Sequence, residues 1–502
     1  MNLVLVYSVI GLLFILWIVK RWQDRKAIGL AKHFGSNKWQ ILLGFGPLLR
    51  TKAIIPKLTE IAKKYGKNSL MFFGPFPFFL TSDPTVIKDI LTSKLCINKS
   101  YNLYSGISFS LGQGLITLNG AQWNHSRKIL NAGFKNSNIV TFLPTFNRRM
   151  EGLFKDIDDA MEKGNYTSLL LFLREFGLKI SLETIIGRDM DKSQYDIRQC
   201  ASQIEGALEY ISNMVFDSKY AIEATRMIAK TTIYKNDLKI IDTVNTVIAE
   251  SLHSTGLRGS NPTFLEHINS IMRSADRAIE NGQMKREHAI SNIFHLFAGS
   301  FETTSMATYF VALLLAIHPE YQELAYAEIC DIFPNDDEGE FEVLYEHIDQ
   351  MVYLEMVINE AMRLFAIIPQ IGRMVAGGDL TLSNGIILPE GQDIMIDLVN
   401  LHRNSDIWGP NAHKFNPDNF LPANIKARHP YAFIPFTKGI RFCIGMRYAE
   451  LTMKVAMARI IKRYKLTTTA TMDDLKLENH VSIQLAKHPS LKFERRKISK
   501  TT

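Results

Sequence analysis

The chain has 502 residues, with 58 lysines and arginines against 50 aspartates and glutamates, a formal net charge of +8. Hydrophobic residues at 46% and charged residues at 22% exclude a disordered chain, and the glycine and proline counts exclude a collagen-like one. Four cysteines (Cys96, Cys200, Cys330 and Cys443), none in a CxxC pair, exclude a disulfide framework, and the absence of a basic stripe interleaved with aromatics argues against nucleic acid as a partner.

Leu3 to Val19 carries no charge, and Lys20, Arg21, Arg25 and Lys26 follow at once. As a helix this run reaches about 25 Å, enough to cross a thin bilayer. It is longer than a signal-peptide core, with no basic residues before it and no small-residue cleavage site after it. A basic flank after the span predicts an outside N-terminus and a cytosolic body. The competing reading is a buried N-terminal helix. The expected organisation is an anchor with its basic flank over 1–26, a linker over 27–60 turning at Gly44-Phe45-Gly46-Pro47, and one body over 61–502.

Apolar spacing at i, i+3, i+4 and i+7 predicts helix for most of the body, including 136–285, which carries no chemical signal. Trp123 and Arg127 lie one helical turn apart. Loops are expected at 254–263 and, acidic, at 334–340. Between Ala289 and Ile317 the one formal charge is Glu302. A carboxylate at mid-bilayer costs about 2.5–3.5 kcal/mol, so a buried helix of about 43 Å is preferred to a second span. Thr303 is placed to bond back to the Gly299 carbonyl, which with Glu302 makes a polar notch. Glu360 and Arg363, three apart, share one helix face. Strand signals gather around 375–400. Leu380–Ser383 and Ile386–Leu388 read as a hairpin with a two-residue Asn384-Gly385 turn, and Pro389–Gly391 turns again before Ile394–Ile396. The fold class is mainly α with small β-sheets (α+β).

The most informative segment is Phe436-Thr-Lys-Gly439-Ile-Arg441-Phe-Cys443-Ile-Gly445, ahead of a helical segment from Met446 to Tyr464. Glycines permit tight turns and close approach. A cysteine at a helix N-terminus is favoured as thiolate, and one thiolate from a loop suits an axial position on haem iron. An isolated cysteine is otherwise a buried structural residue.

These ten residues resemble the haem-binding signature of the cytochrome P-450 superfamily at every fixed position. The resemblance spans nearly the whole chain. It is strongest to insect members of the microsomal clan that contains the fatty-acid ω-hydroxylases, through Asn98–Tyr101, Leu111–Ile116 and Trp123–Leu130. It implies the cytochrome P-450 fold, with Cys443 as proximal ligand of haem b and Phe436 shielding the sulfur within the loop bounded by Gly439 and Gly445. Trp123, Arg127, Arg373 and Arg441 would serve the haem propionates. Glu302 would be the proton relay and Thr303 the oxygen-side hydroxyl. The clan's ω-hydroxylases carry a haem-esterifying Glu where this chain has Gly299, so non-covalent haem is expected.

Two departures stand out. Ser300 replaces a glycine and is expected to leave the groove narrower or differently hydrated, and Asn419 replaces an arginine that closes the network of Glu360 and Arg363, which is expected to weaken it. The implied function is insertion of one oxygen atom from O2 into a lipophilic substrate. Electrons would come from an NADPH–cytochrome reductase, and optionally from a cytochrome b-type donor, at the endoplasmic reticulum membrane. Lys438, Arg441, Arg447 and Lys454 are expected to form a positive docking face. The cavity lining is expected from 100–118, Phe297, Ile368 and the segment near Ile483. The alternative is a haem or apolar-ligand binding protein on the same fold without turnover; the acid–Thr pair counts against a peroxide-using or isomerising haem-thiolate enzyme.

Overall fold

The computed structural model describes residues 3–31, 34, 54–73, 76–164, 169–188, 196–217, 223–232, 238–254, 271–334 and 341–496. The Gly44–Pro47 turn and most of the two expected loops, 255–263 and 335–340, lie outside these residues.

Helix α1 (Leu3–Gln23) is continuous and leaves Leu12, Phe14, Ile15, Ile18, Val19 and Trp22 exposed. Its end is tied to the body, with the Arg21 guanidinium stacked 5.0 Å from the Phe72 ring. Helix α2 (Ile54–Tyr65) buries Ile54, Ile55, Leu58 and Ile61 on one face. It begins inside the stretch read as linker, so the packed body starts by residue 54 rather than 61.

Strands β1 (Asn68–Phe73) and β2 (Phe76–Thr81) pair antiparallel. Helices α3 (Tyr101–Leu111), α4 (Gly120–Leu130), α5 (Leu169–Ser181) and α6 (Ile197–Phe216) follow. The central helix α7 runs from Arg286 to Ile317, about 48 Å. It is long and apolar enough to cross a membrane, but its side chains are mostly buried within the protein. Helix α5 packs along it at a contact made of small residues. A Cβ on Gly177 would collide with the Ser305 hydroxyl, and Ser305 Oγ donates to the Leu173 carbonyl at 3.0 Å.

Helix α8 (Val352–Leu364) leads to β3 (Gln370–Met374). Strands β4 (Leu380–Thr381) and β5 (Ile387–Leu388) form the expected hairpin, but Leu382 N–H bonds the Ile386 carbonyl at 2.8 Å, so the loop has three residues and Gly385 takes φ +81°. Strand β6 (Asp393–Asp397) inserts between β2, parallel, and β3, antiparallel, giving the sheet order β1-β2-β6-β3. After α9 (Met446–Arg463), β7 (Tyr464–Thr467) pairs with β10 (Lys492–Arg495), and β8 (Leu477–His480) with β9 (Ser482–Leu485).

Candidate active site

The cysteine loop is held by its own backbone. Gly439 has φ +78°, and a Cβ there would collide with the Leu91 carbonyl, so only glycine fits. Cys443 N–H donates to the Phe436 carbonyl at 2.9 Å, and Gly445 begins α9, its carbonyl accepting from Ala449 at 2.9 Å. Cys443 is half-buried on the wall of a large, mainly apolar cavity. Burial pushes its thiol up, offset in part by the Gly445 N–H and by Arg127. The helix terminus therefore does not by itself make a thiolate here; a bound metal ion would.

Arg127 and Arg441 line the same cavity, and Arg373 lies close enough to Arg441 to repel it. Arg441 Nε donates to the Ile97 carbonyl at 2.9 Å and Nη2 to the Leu118 carbonyl at 2.7 Å, while its guanidinium stacks 3.9 Å from the Trp123 ring. Trp123 thus orients Arg441. Arg127 Nη1 donates to the Phe442 carbonyl at 3.0 Å and Arg373 Nη1 to the Gly372 carbonyl at 2.9 Å. Each guanidinium keeps one buried nitrogen without a partner: Arg127 Nη2, Arg373 Nη2 and Arg441 Nη1.

Lys99, which sequence reading did not single out, joins them and donates to the Tyr104 hydroxyl at 3.0 Å. Burial, then repulsion from Arg373 and Arg441, holds its amine well below the ordinary lysine range. Among the described residues the charged groups that act most on Lys99, Arg127, Arg373 and Arg441 are one another, cysteine and tyrosine, with no carboxylate among them. Buried cations with unmet N–H groups and no counter-charge fit a dianionic ligand. Haem b, with two carboxylates and an iron that takes a thiolate, meets these requirements.

On α7, Thr303 Oγ1 donates to the Gly299 carbonyl at 2.5 Å, as expected, and a Cβ on Gly299 would meet nothing within 4 Å. Glu302, 3% exposed, turns to α5. Arg174 grips its carboxylate through Nε at 3.2 Å and Nη2 at 3.0 Å, and Gln484 Nε2 donates at 2.7 Å. Arg174 also pairs with Glu205 on α6 at 2.9 Å, whose side chain is 57% exposed. The stretch 136–285 thus contributes directly to the site. Ser300 does not obstruct the groove with a free hydroxyl. It contacts Ser181 Oγ at 2.8 Å and donates to the Phe297 carbonyl at 3.0 Å, within the helix contact.

Behind the cavity, Arg363 and Glu360 form a fully buried bidentate pair at 2.6 and 2.7 Å. Every Arg363 N–H is used, the others reaching the carbonyls of His402, Ala412 and Lys414. Asn419 Nδ2 and Asn416 N–H both donate to Glu360, at 3.1 and 2.9 Å. Arg428 bonds the Asn419 carbonyl at 2.8 Å and stacks 3.8 Å from Trp408. The weakened network expected from Asn419 is therefore not seen.

Two further expectations are corrected. Lys454 is buried against Glu355 at 2.7 Å, Arg441 points inward, Arg447 pairs with Glu450 at 3.1 Å and Lys438 folds back onto the Pro430 carbonyl. Of the four only Arg447 is exposed, and it is paired, so they do not make a continuous positive face; Ile440 and Phe442 are exposed nearby. Phe297 is buried in the core and stacks on Phe301, while His295, Leu296 and Ala298 line the cavity with Ile107, Leu115 and Ile368.

A thiol, cations with unmet N–H groups and an acid–hydroxyl pair, all on one apolar cavity, are the fittings of a haem-thiolate enzyme. A family model, cytochrome P450, matches residues 35–493. The chain is 35% identical over 498 residues to the probable cytochrome P450 313a4 of Drosophila melanogaster, covering 97% of this chain and 98% of that one. It is 32% identical over 494 residues to the probable cytochrome P450 313a3 of the same organism (96% and 97% covered), and 29% over 423 residues to its cytochrome P450 4c3 (80% and 77%). The chain belongs to the cytochrome P450 family, oxidoreductases of the monooxygenase class that bind haem b through a cysteine thiolate.

Proposed function

We propose that this protein is a membrane-anchored, reductase-dependent monooxygenase that inserts one oxygen atom from O2 into a C–H bond of a lipophilic substrate. The observation that carries this reading is the convergence of Cys443, the buried cations and the Glu302–Thr303 pair on one apolar cavity. Cys443 would ligate the iron, and Lys99, Arg127, Arg373 and Arg441 would meet the haem carboxylates. When bound, haem supplies oxygen activation and electron transfer.

The protein's own part is positioning and proton supply. Phe436 and the loop backbone fix the sulfur. Thr303 holds its hydroxyl on the Gly299 carbonyl one turn earlier. Glu302 would be the proton relay, able to take up and pass on a proton once it leaves its ion pair. Arg174 cannot itself pass a proton, so it parks Glu302 and links it to Glu205 at the surface. Delivery requires Glu302 to leave Arg174 and turn toward Thr303.

Helix α1, apolar, with Leu12, Phe14, Ile15, Ile18 and Val19 exposed and basic residues at its end, supports an anchor in the endoplasmic reticulum membrane with a cytosolic body. Exposed Phe442 and Ile440 beside the cysteine loop, with exposed Lys128 on α4, support docking of an acidic NADPH–cytochrome reductase or a cytochrome b-type donor. The test is reconstitution of the full chain with reductase in lipid vesicles under oxygen-18 gas. Substrate-dependent NADPH consumption with one labelled oxygen per product is expected; consumption that leaves every lipophile unlabelled would refute the proposal.

A further inference from the structure

We propose that Gln370 selects the substrate, and that the substrate is an uncharged lipophile that presents a hydroxyl or amide-type group to it. This rests on the reading above that the cavity holds substrate beside haem.

Gln370 opens β3 directly after Pro369. It is 6% exposed, lines the cavity, and neither Oε1 nor Nε2 has a hydrogen-bond partner. A buried amide with both ends unmet calls for an explanation. Its cross-strand neighbour Asp397 does not supply one, since that carboxylate already takes the Asn400 N–H and side-chain amide. Other polar groups on the cavity wall are engaged, and His295 Nε2, which also lacks a partner, offers a donor alone because Nδ1 of that ring accepts the Ile116 N–H. The Tyr104 hydroxyl takes Lys99, Thr303 is bonded to Gly299, Ser300 to Ser181, and Glu302 to Arg174 and Gln484. Gln370 is thus an uncommitted donor and acceptor together in an apolar wall. A hydroxyl accepts from Nε2 and donates to Oε1, and so satisfies both ends.

Charge narrows the class further. The ionic side chains lining the cavity are Lys99, Arg127, Arg441 and Glu302. The cations fit the haem carboxylates, and Glu302 is paired. Among the described residues no further cation remains on the wall for a substrate carboxylate, which would be buried uncompensated. A neutral head group is what Gln370 can hold.

The experiment is equilibrium dialysis of the full-length holoprotein with three probes of equal chain length: 1-dodecanol, 1-chlorododecane and dodecanoate. In the wild type 1-dodecanol is expected to bind about tenfold more tightly than either other probe, the value of one good buried hydrogen bond. In Gln370→Met, of similar length and without the amide, the advantage should fall to about twofold or less. Gln370→Leu is carried in parallel, with haem content and thermal midpoint as folding checks. A wild type that does not prefer the alcohol, one that binds dodecanoate most tightly, or a preference that survives in a folded variant overturns the assignment. Dialysis needs no reductase, so an intact preference without labelled product would remove the monooxygenase reading and leave Gln370 in place. Labelled product without the preference would do the reverse.

Discussion

Arg174 holds Glu302 with two N–H groups, at 3.2 and 3.0 Å, across a sequence separation of 128 residues. The carboxylate central to the proposed proton supply is therefore stored as half of a buried ion pair. Removing one partner of such a pair leaves the other charge stranded and costs about 3–5 kcal/mol. Arg174→Gln is expected to lose stability on that scale and most of its turnover. Glu302→Gln should lower turnover about a hundredfold or more while folding better than Arg174→Gln. Urea denaturation beside NADPH-coupled product formation checks both. An Arg174→Gln protein as stable and active as the parent would remove the pair from the mechanism.

The two glycines flanking the cysteine are not equivalent. Gly439 is left-handed and pressed against the Leu91 carbonyl, whereas a Cβ on Gly445 would sit 3.9 Å from Phe134 and 4.0 Å from the Cys443 sulfur, ordinary contacts. Gly439→Ala should cost more than about 2 kcal/mol and abolish haem retention. Gly445→Ala should keep both. Haem per polypeptide after purification reads the difference, and equal retention in the two variants would contradict the loop geometry.

At position 419 the structure reverses the expectation drawn from sequence. Glu360 and Arg363 are already saturated, and Arg428 occupies the space beside Trp408. An added guanidinium would enter a site that holds Arg363 and Arg428. Asn419→Arg should gain no haem retention over the wild type, and Arg428→Ala should lose some. Slower haem loss in Asn419→Arg than in wild type, measured by transfer to apomyoglobin, would restore the weakened-network reading.

Acid should destabilise the fold through histidines kept neutral. Burial, then Arg363 and Arg403, lowers His402 to about 3; burial lowers His295 to about 4; burial, then Arg174, lowers His488 to about 4. Folded values below the unfolded one mean that the stability is fully present above about pH 6.5 and is lost as pH falls toward 4. His402 Nε2 accepts the Ile434 N–H at 3.1 Å, and His295 Nδ1 the Ile116 N–H at 3.2 Å, bonds that protonation breaks. Each histidine contributes on the order of 1 kcal/mol per pH unit in that window. Urea midpoints at pH 7.5, 6.5, 5.5 and 4.5 should fall steadily below 6.5, less steeply in His402→Gln. A flat profile would show that these rings are not held neutral.

What could be read from sequence was what neighbours in the chain determine. The glycine-framed cysteine loop, the Thr303–Gly299 bond, the ion pair on α8 and the 380–388 hairpin all depend on residues within a few positions of each other. The hairpin turn was short by one residue, because Leu382–Ile386 pairing rather than Asn384-Gly385 sets its ends. Strands β1 and β2 went unseen because β2 is buried along almost its whole length, so no apolar–polar alternation marks it. Lys99, Arg174 and Gln370 were missed for a different reason. Their meaning comes from burial beside Arg373, beside Glu302 and against an apolar cavity, and no local pattern encodes that.

The claim on which the rest depends is that Cys443 ligates the haem iron. The reduced, CO-bound difference spectrum of the membrane-expressed full chain, recorded beside Cys443→Ser, tests it directly. The account predicts a red-shifted Soret band of the thiolate type in the wild type and its loss in the variant. A band at the position of histidine ligation, or a thiolate-type band that persists in Cys443→Ser, would contradict it.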